Sequence, residues 1–373
     1  MITGFQALLS GRLSFSVTRR TFYNSHLRNK CSYNLKLDLA CNGLAVFEQL
    51  PKPIQNFIIA QEVSWLTGSE EMSVVNTNWQ KSAISWEYHR AANPRLSEVP
   101  IRSFPASLHE SGNTRIIPLD LSMELGTAYF ATTPNLLANY IRIHPGEAIQ
   151  ARVTSSSEVF YVMRGTGRTE TEYGIVQWEQ GDSFTLPMNA GATHFAAEDA
   201  ALYWVHDAPM LAYLGVQPSR PRFEPAFYSR EYLTNEIERI RDEGVRRNLN
   251  RNGVILGNPE SEATRTATHT MWSLYNLVPP HSTQKPHRHN SIALDLAVSA
   301  QANTYTLIGQ SIDSEGNIIN PVKVTWQPYS VFVTPPSLWH SHHNESDEDA
   351  FVFPVQDAGM QIYMRTLDIQ FAK

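Results

Sequence analysis

From about residue 121 onward, apolar and polar positions alternate in short runs punctuated by glycine, proline, asparagine and aspartate, as in "EVFYVMRGTGRTETEYGIVQWEQGDSFTLP". Successive side chains on a strand point to opposite faces, so these runs predict antiparallel strands, and their number and spacing predict an all-β sandwich or barrel. Helical periodicity is scarce. Its best instance is "SREYLTNEIERIRDEGVRRN", residues 229–248, where Leu233, Ile237 and Ile240 fall on one face and charges cover the other. That segment follows the proline-rich "QPSRPRFEP" and precedes "NRNGVILGNPES", which predicts a helical linker between two β domains.

The chain also repeats itself. "GDSFTLPMNAGATH", residues 181–194, and "YSVFVTPPSLWH", residues 329–340, both read strand, proline, short turn, histidine. Upstream of them, "IHPGEAIQARVTSSSEVFYV" and "LVPPHSTQKPHRHNSIALDLAV" align so that Ala151 and Val153 stand where His287 and His289 stand. One fold is used twice, with paired histidines in the second copy alone. The expected division is an extension over residues 1–71, a first β domain over 72–217, a helical linker over 218–268 and a second β domain over 269–373.

Composition narrows the function. A chain of 373 residues, 42% of them hydrophobic, can build two medium cores. Its net charge of −6 is spread over interleaved acids and bases, which creates no field to gather polyanions, so no nucleic-acid partner is expected. Cys31 and Cys41 are the only cysteines, and both precede the β-rich region; a metal there must be held by nitrogen or oxygen. No run approaches the ~20 apolar residues that a bilayer requires, so a soluble, cytoplasmic protein without a membrane partner is expected. Residues 1–37 carry Arg12, Arg19, Arg20, Arg28, Lys30 and Lys36 with no acid before Asp38, the pattern of an organelle transit peptide. They lack an amphipathic period, which favours a plain extension translated from a start upstream of Met72.

Candidate chemistry concentrates late in the chain, where 7 of the 13 histidines occupy the last 105 residues. In "PHRHNSIALD", His287 and His289 are two apart on a predicted strand and therefore share a face, about 6.5 to 7 Å apart along it. If that face is interior, His340 from an opposing strand completes three imidazoles around one ion. Three neutral imidazoles leave a divalent ion its full charge and open positions on one side, which suits Fe(II) and leaves Mn, Ni or Zn open.

These phrases resemble the cupin superfamily. "PHRHNSIAL" supplies the HxH of its first motif without the following glutamate, and Pro335, Ser337, His340 and Asn344 in "TPPSLWHSHHNE" match its second motif, with serine replacing a glycine. Over residues 120–365 the chain resembles the gentisate, salicylate and 1-hydroxy-2-naphthoate dioxygenase group of bicupins. The resemblance implies an all-β fold of two cupin barrels (double-stranded β-helix, jelly-roll) joined by the helical linker. It implies that His287, His289 and His340 hold the metal and that His342 acts beside the substrate as an acid/base or hydrogen-bonding group. Trp272, Asn276 and Trp339 would line the pocket. Asp295 stands where that group has the arginine that holds the substrate carboxylate; a carboxylate there repels an anion and would instead orient an amine or hydroxyl, or act as a base. In the first copy Glu158 and His194 occupy cupin ligand positions. The group usually carries its metal in the first barrel, so the active copy is exchanged here.

The activity implied is an Fe(II)-dependent dioxygenase that takes O₂ and a small hydroxylated, aromatic substrate, in a homo-oligomer. Two other readings remain open: a metal-dependent isomerase or hydrolase using Asp295 as base, and a non-catalytic small-molecule-binding bicupin.

Overall fold

The computed structural model describes residues 79–92, 96–247 and 250–372, with two-residue strands at Thr18–Arg19 and Tyr33–Asn34 that pair with each other. Residues 1–93 and 94–373 form separate units. In the first unit, Glu87 caps the short helix Tyr88–Ala91 by accepting from the backbone of His89 and Arg90. Most of the basic stretch over residues 1–37, both cysteines and Met72 lie outside the described residues. No described helix is long and apolar enough to cross a membrane.

The second unit holds both copies of the repeat. Its opening strands are β1 (Ser103–Phe104), β2 (Arg115–Pro118), β3 (Leu137–Ile143), β4 (Ala148–Ala151) and β5 (Ser157–Arg164). They continue as β6 (Thr166–Thr171), β7 (Gly174–Glu179), β8 (Ser183–Pro187), β9 (Ala192–Ala196) and β10 (Ala200–His206), then helix α1 (Ala208–Leu214) and β11 (Ala226–Tyr228). A six-stranded antiparallel sheet in the order β11-β8-β5-β10-β3-β2 faces a four-stranded sheet β4-β9-β6-β7. Ile141, Phe160, Phe184 and Trp204 from the larger sheet pack against Ala151, Trp178 and Ala192 from the smaller one.

Helix α2 (Arg230–Arg247) is the expected linker. Leu233 and Ile237 are buried and Ile240 is half-buried against the shared core, and ion pairs such as Arg247 with Glu243 lie along the exposed face. The second copy then runs β12 (Asn252–Leu256), β13 (Trp272–Val278), β14 (Ser282–Thr283), β15 (His287–His289), β16 (Ala293–Ser299) and β17 (Thr304–Gly309). It ends with β18 (Val322–Thr325), β19 (Val331–Thr334), β20 (Trp339–Asn344), β21 (Ala350–Gln356), α3 (Ala358–Met364) and β22 (Ile369–Phe371). Its sheets are β12-β13-β21-β16-β19-β1 and β18-β17-β20-β15-β22, with β14 also on β20. Strand β1, which precedes the first copy in the chain, thus completes a sheet of the second, with Phe104 opposite Val331.

Why some strands read as unbroken apolar runs is now plain: both their faces are covered. On β5, Phe160 and Val162 point into the first copy, whereas Val159, Tyr161 and Met163 join a core shared with Leu294, Leu296, Val333 and Phe353 of the second. On β16, Ala297 points into the second copy and Leu296 and Val298 into the shared core. At the partly solvent-facing β7, by contrast, exposed Ile175 and buried Trp178 sit on one strand.

Candidate metal centre

Strands β15 and β20 lie side by side, with His287 directly opposite His340. Along β15, His289 shares His287's face and Arg288 takes the other; along β20, His340 and His342 share the inward face. One nitrogen from each of His287, His289 and His340 lies within 4.8 Å of the others. Ring centres are 4.1 Å apart for His287 and His340, 4.8 Å for His289 and His340, and 5.5 Å for His287 and His289. Strand β22 flanks the free edge of β15, and its Phe371 stacks on His287.

Second contacts decide which nitrogen each ring presents. A carbonyl oxygen only accepts, so the bond from His289 Nδ1 to Ser291 O at 2.8 Å puts the hydrogen on Nδ1. Ser291 Oγ, which donates to Gln356 at 2.9 Å, also lies 3.0 Å from that nitrogen. His289 Nε2 is therefore an unprotonated lone pair, and it is buried without a partner. His340 Nδ1 likewise donates to Leu338 O at 3.0 Å, which frees its Nε2. Burial, reinforced by the neighbouring imidazoles, holds His287 and His340 well below the usual histidine range, and burial lowers His289 too. Neutral rings with free Nε2 atoms are what a divalent ion requires, since a protonated ring cannot coordinate.

His287 is wired differently. Its Nδ1 lies 2.8 Å from Arg251 Nη2, and a guanidinium can only donate. An ion held through Nε2 needs hydrogen on Nδ1, so coordination by this ring requires Arg251 to let go. Arg251 is half-buried, with its guanidinium 5.1 Å from the Phe371 ring, and desolvation lowers it to about 10 while leaving it cationic at neutral pH. Arg251 escaped the sequence reading. It immediately precedes β12, with only the turn-like "NRNG" around it, and reaches the site by folding across 36 residues.

The other expected residues separate. His342 lies on the inward face 6.1 Å from His340, with Nδ1 bonded to Thr306 Oγ1 at 2.8 Å, and burial pushes it down to about 3. Asp295 is buried on β16, on the face that Ala297 turns into the second copy. It accepts from Thr334 Oγ1 at 2.6 Å, and desolvation raises it to about 7. Trp272 and Asn276 share the face of β13 that carries core residue Val278. Trp272 Nε1 is buried and unpaired. The Asn276 amide is occupied by a reciprocal pair with Gln284, both contacts at 3.3 Å, which steadies the approach to β15. Trp339 corrects the expectation: strand alternation turns it away from the histidines, and the Arg288 guanidinium lies 5.4 Å from its ring on the outer face.

The first copy corrects an alignment. Ala151 lies opposite Ala192 as His287 lies opposite His340. His194 pairs with Thr169 as His342 pairs with Thr306, so His194 corresponds to His342 and Ala192 to His340. All three ligand positions of the first copy are thus apolar: Ala151, Val153 and Ala192. Glu158 accepts from Ser155 Oγ at 3.0 Å and Trp204 Nε1 at 2.9 Å, and burial raises it to about 8.

No family model matches the chain. It is similar to a 5-aminosalicylate 1,2-dioxygenase of a Comamonas species, 33% identical over 108 residues, which is 29% of this chain and 28% of that protein. It is also similar to a 5-nitrosalicylic acid 1,2-dioxygenase of a Bradyrhizobium species, 30% identical over 84 residues, 22% of this chain and 41% of that one. The matched stretches therefore span less than half the length of either curated relative. Among solved structures, salicylate 1,2-dioxygenase from Pseudaminobacter salicylatoxidans matches with a TM-score of 0.61 at 13% identity, covering 82% of this chain and 99% of that one. A variant of that enzyme in complex with gentisate also gives 0.61, at 12% identity, covering 87% and 97%. At these identities the structural likeness speaks for the fold, which is the two-copy β architecture described above. The chain has the two-copy β fold of those structures, and within it resembles the gentisate/salicylate dioxygenase group.

Proposed function

We propose that this protein is a non-haem Fe(II) dioxygenase that opens the ring of a small hydroxylated aromatic acid with O₂, its metal held by His287, His289 and His340. The observation that carries this reading is the convergence of three neutral imidazoles, two of them hydrogen-bonded so that Nε2 is free. Bound there, Fe(II) would supply open positions for a chelating substrate and for O₂. The chain's own groups do the rest. Arg251 supplies the cation that Asp295 does not, and once released from His287 it can pair with a substrate carboxylate. Asp295, raised to about 7, is partly protonated at neutral pH and so repels that anion less than an ordinary aspartate would. Val278, Phe332 and Val352 belong to the apolar core of the same copy.

The test is oxygen uptake by protein loaded anaerobically with Fe(II), against salicylate, gentisate, 5-aminosalicylate and 5-nitrosalicylate. Uptake matched to substrate loss, abolished in His289→Ala, is expected with at least one of them. Arg251→Met should raise KM for the carboxylate substrate by roughly 10-fold to 100-fold, the value of a charge-assisted pair of ~1.5–3 kcal/mol. Iron-loaded protein that consumes no oxygen with any of the four would end the proposal.

A further inference from the structure

Two copies of one three-residue chain of hydrogen bonds lie inside this protein. In the second copy Trp326 Nε1 donates to Thr306 Oγ1 at 2.8 Å, and that oxygen lies 2.8 Å from His342 Nδ1. In the first, Trp178 Nε1 donates to Thr169 Oγ1 at 2.9 Å, and that oxygen lies 2.7 Å from His194 Nδ1. An indole N–H can only donate, so each threonine oxygen already accepts one bond. Both threonines are fully buried, and the hydroxyl hydrogen of each needs an acceptor. The imidazole nitrogen is the acceptor within reach. Were the ring to donate from Nδ1 instead, the hydroxyl hydrogen would be stranded in the core. For His342 the direction is therefore set: indole to hydroxyl, hydroxyl to Nδ1; in the first copy His194 Nε2 is itself buried without a partner, so either direction leaves one hydrogen unpaired there.

We infer that Thr306, itself held by Trp326, is a positioning residue that fixes His342 in the Nε2–H form, so that His342 meets the substrate as a hydrogen-bond donor. This rests on the proposed dioxygenase reading for its role, though not for the tautomer. His342 shares the inward face of β20 with ligand His340, 6.1 Å away, and lies edge-on to Trp326 at 5.5 Å. Its polarity is the reverse of that of His289 and His340, whose Nδ1 atoms donate to carbonyls and leave Nε2 as a lone pair. Neighbouring rings on one wall are thus sorted by their second contacts. Those bonded to carbonyls can hold a cation, whereas the one bonded to a hydroxyl offers a hydrogen to an anionic oxygen. The first copy keeps the relay but has alanine or valine at all three ligand positions, so it provides an internal control.

The test is long-range ¹H–¹⁵N correlation on the metal-free full chain with ¹⁵N-labelled histidine, with His342 assigned by its loss in His342→Gln. Wild type should show hydrogen on Nε2 and a bare Nδ1. Thr306→Val should shift that population toward Nδ1–H, and Thr306→Ser should restore it. In the Fe(II)-loaded enzyme, Thr306→Val should lower kcat by roughly 10-fold to 100-fold, somewhat less than outright removal of a transition-state donor. KM should stay within about twofold, with rescue by serine, and Thr169→Val should leave kcat unchanged. Hydrogen on Nδ1 in wild type, or a tautomer indifferent to Thr306→Val, would overturn the inference. So would an equal loss of kcat in Thr169→Val, which would reduce the relay to a packing device. Absence of oxygen uptake would sink the proposed function while the tautomer measurement still decided this one.

Discussion

At the scale of single residues, what matters is where each buried polar atom finds its partner. Glu158 shows the energetic consequence. Its two acceptor bonds favour the ionised form, but complete burial outweighs them and raises it from 4.5 to about 8. The native state therefore keeps a proton that the unfolded chain gives up above about pH 4.5, and this contribution to stability is present below that value and fades as pH rises through about 8. His194 and His206, both pushed by burial to about 3, act oppositely: the unfolded chain takes up protons below about pH 6.5 that the native rings refuse. Between pH 6.5 and 8 the histidine effect is spent and the carboxyl effect remains. Over that window wild type should lose up to about 1.4 kcal/mol per pH unit through this one group. Glu158→Gln keeps an acceptor for Trp204 and cannot ionise, so its urea midpoint should fall less steeply. Parallel wild-type and variant profiles from pH 6.5 to 8 would show that Glu158 is ionised in the folded protein.

At the scale of elements, helix α2 tests whether a linker can also be structural. Leu233 is 1% exposed in the shared core and Tyr232, next to it, is 49% exposed. Leu233→Ala should cost about 2–5 kcal/mol, the range for a buried leucine, and Tyr232→Ala within about 0.5 kcal/mol. Equal midpoints in denaturant would mean that the helix merely rides on the surface. This helix was legible because its signal is local: three apolar residues at spacings of four and three. The paired histidines were legible for the same reason, and the resemblance of "TPPSLWHSHHNE" to the second cupin motif supplied His340. What lay beyond reach depends on register between distant strands. Arg251 meets His287, and Thr306 meets His342, each across 36 residues. The displaced alignment of His194 is more instructive. An offset of two residues on a strand preserves which face a side chain takes, so His194 remains an inward histidine under either alignment, and the pattern alone cannot reveal the slip. Trp339 failed for the complementary reason: sharing a phrase with His340 places it on the opposite face.

At the scale of residues 94–373, two aspartates hold the copies together in a symmetric manner. Asp207 and Asp357 each stand at the N-cap of the helix closing their copy, yet neither side chain caps it. Asp207 instead accepts from the Ser156 and Ser157 backbone at 2.7 and 3.2 Å, from the Ser156 hydroxyl, and from Thr270 of the second copy at 3.0 Å. Asp357 accepts from the Ile292 backbone and from Asn135 of the first copy, both at 2.8 Å. Each carboxylate thus ties its own copy to the segment entering the other, at the ends of a core in which Tyr161 of the first packs 4.8 Å from Phe353 of the second. A core that neither copy can complete alone predicts that they unfold together. Urea denaturation followed by tryptophan fluorescence and by far-ultraviolet dichroism should give coincident single transitions for this unit. Asp207→Ala strands several buried donors at about 1–3 kcal/mol each, so it should move that transition to lower urea without splitting it. Wild-type probes that resolve two transitions would show instead that each copy is a stable body of its own, with the aspartates fastening together parts that fold independently.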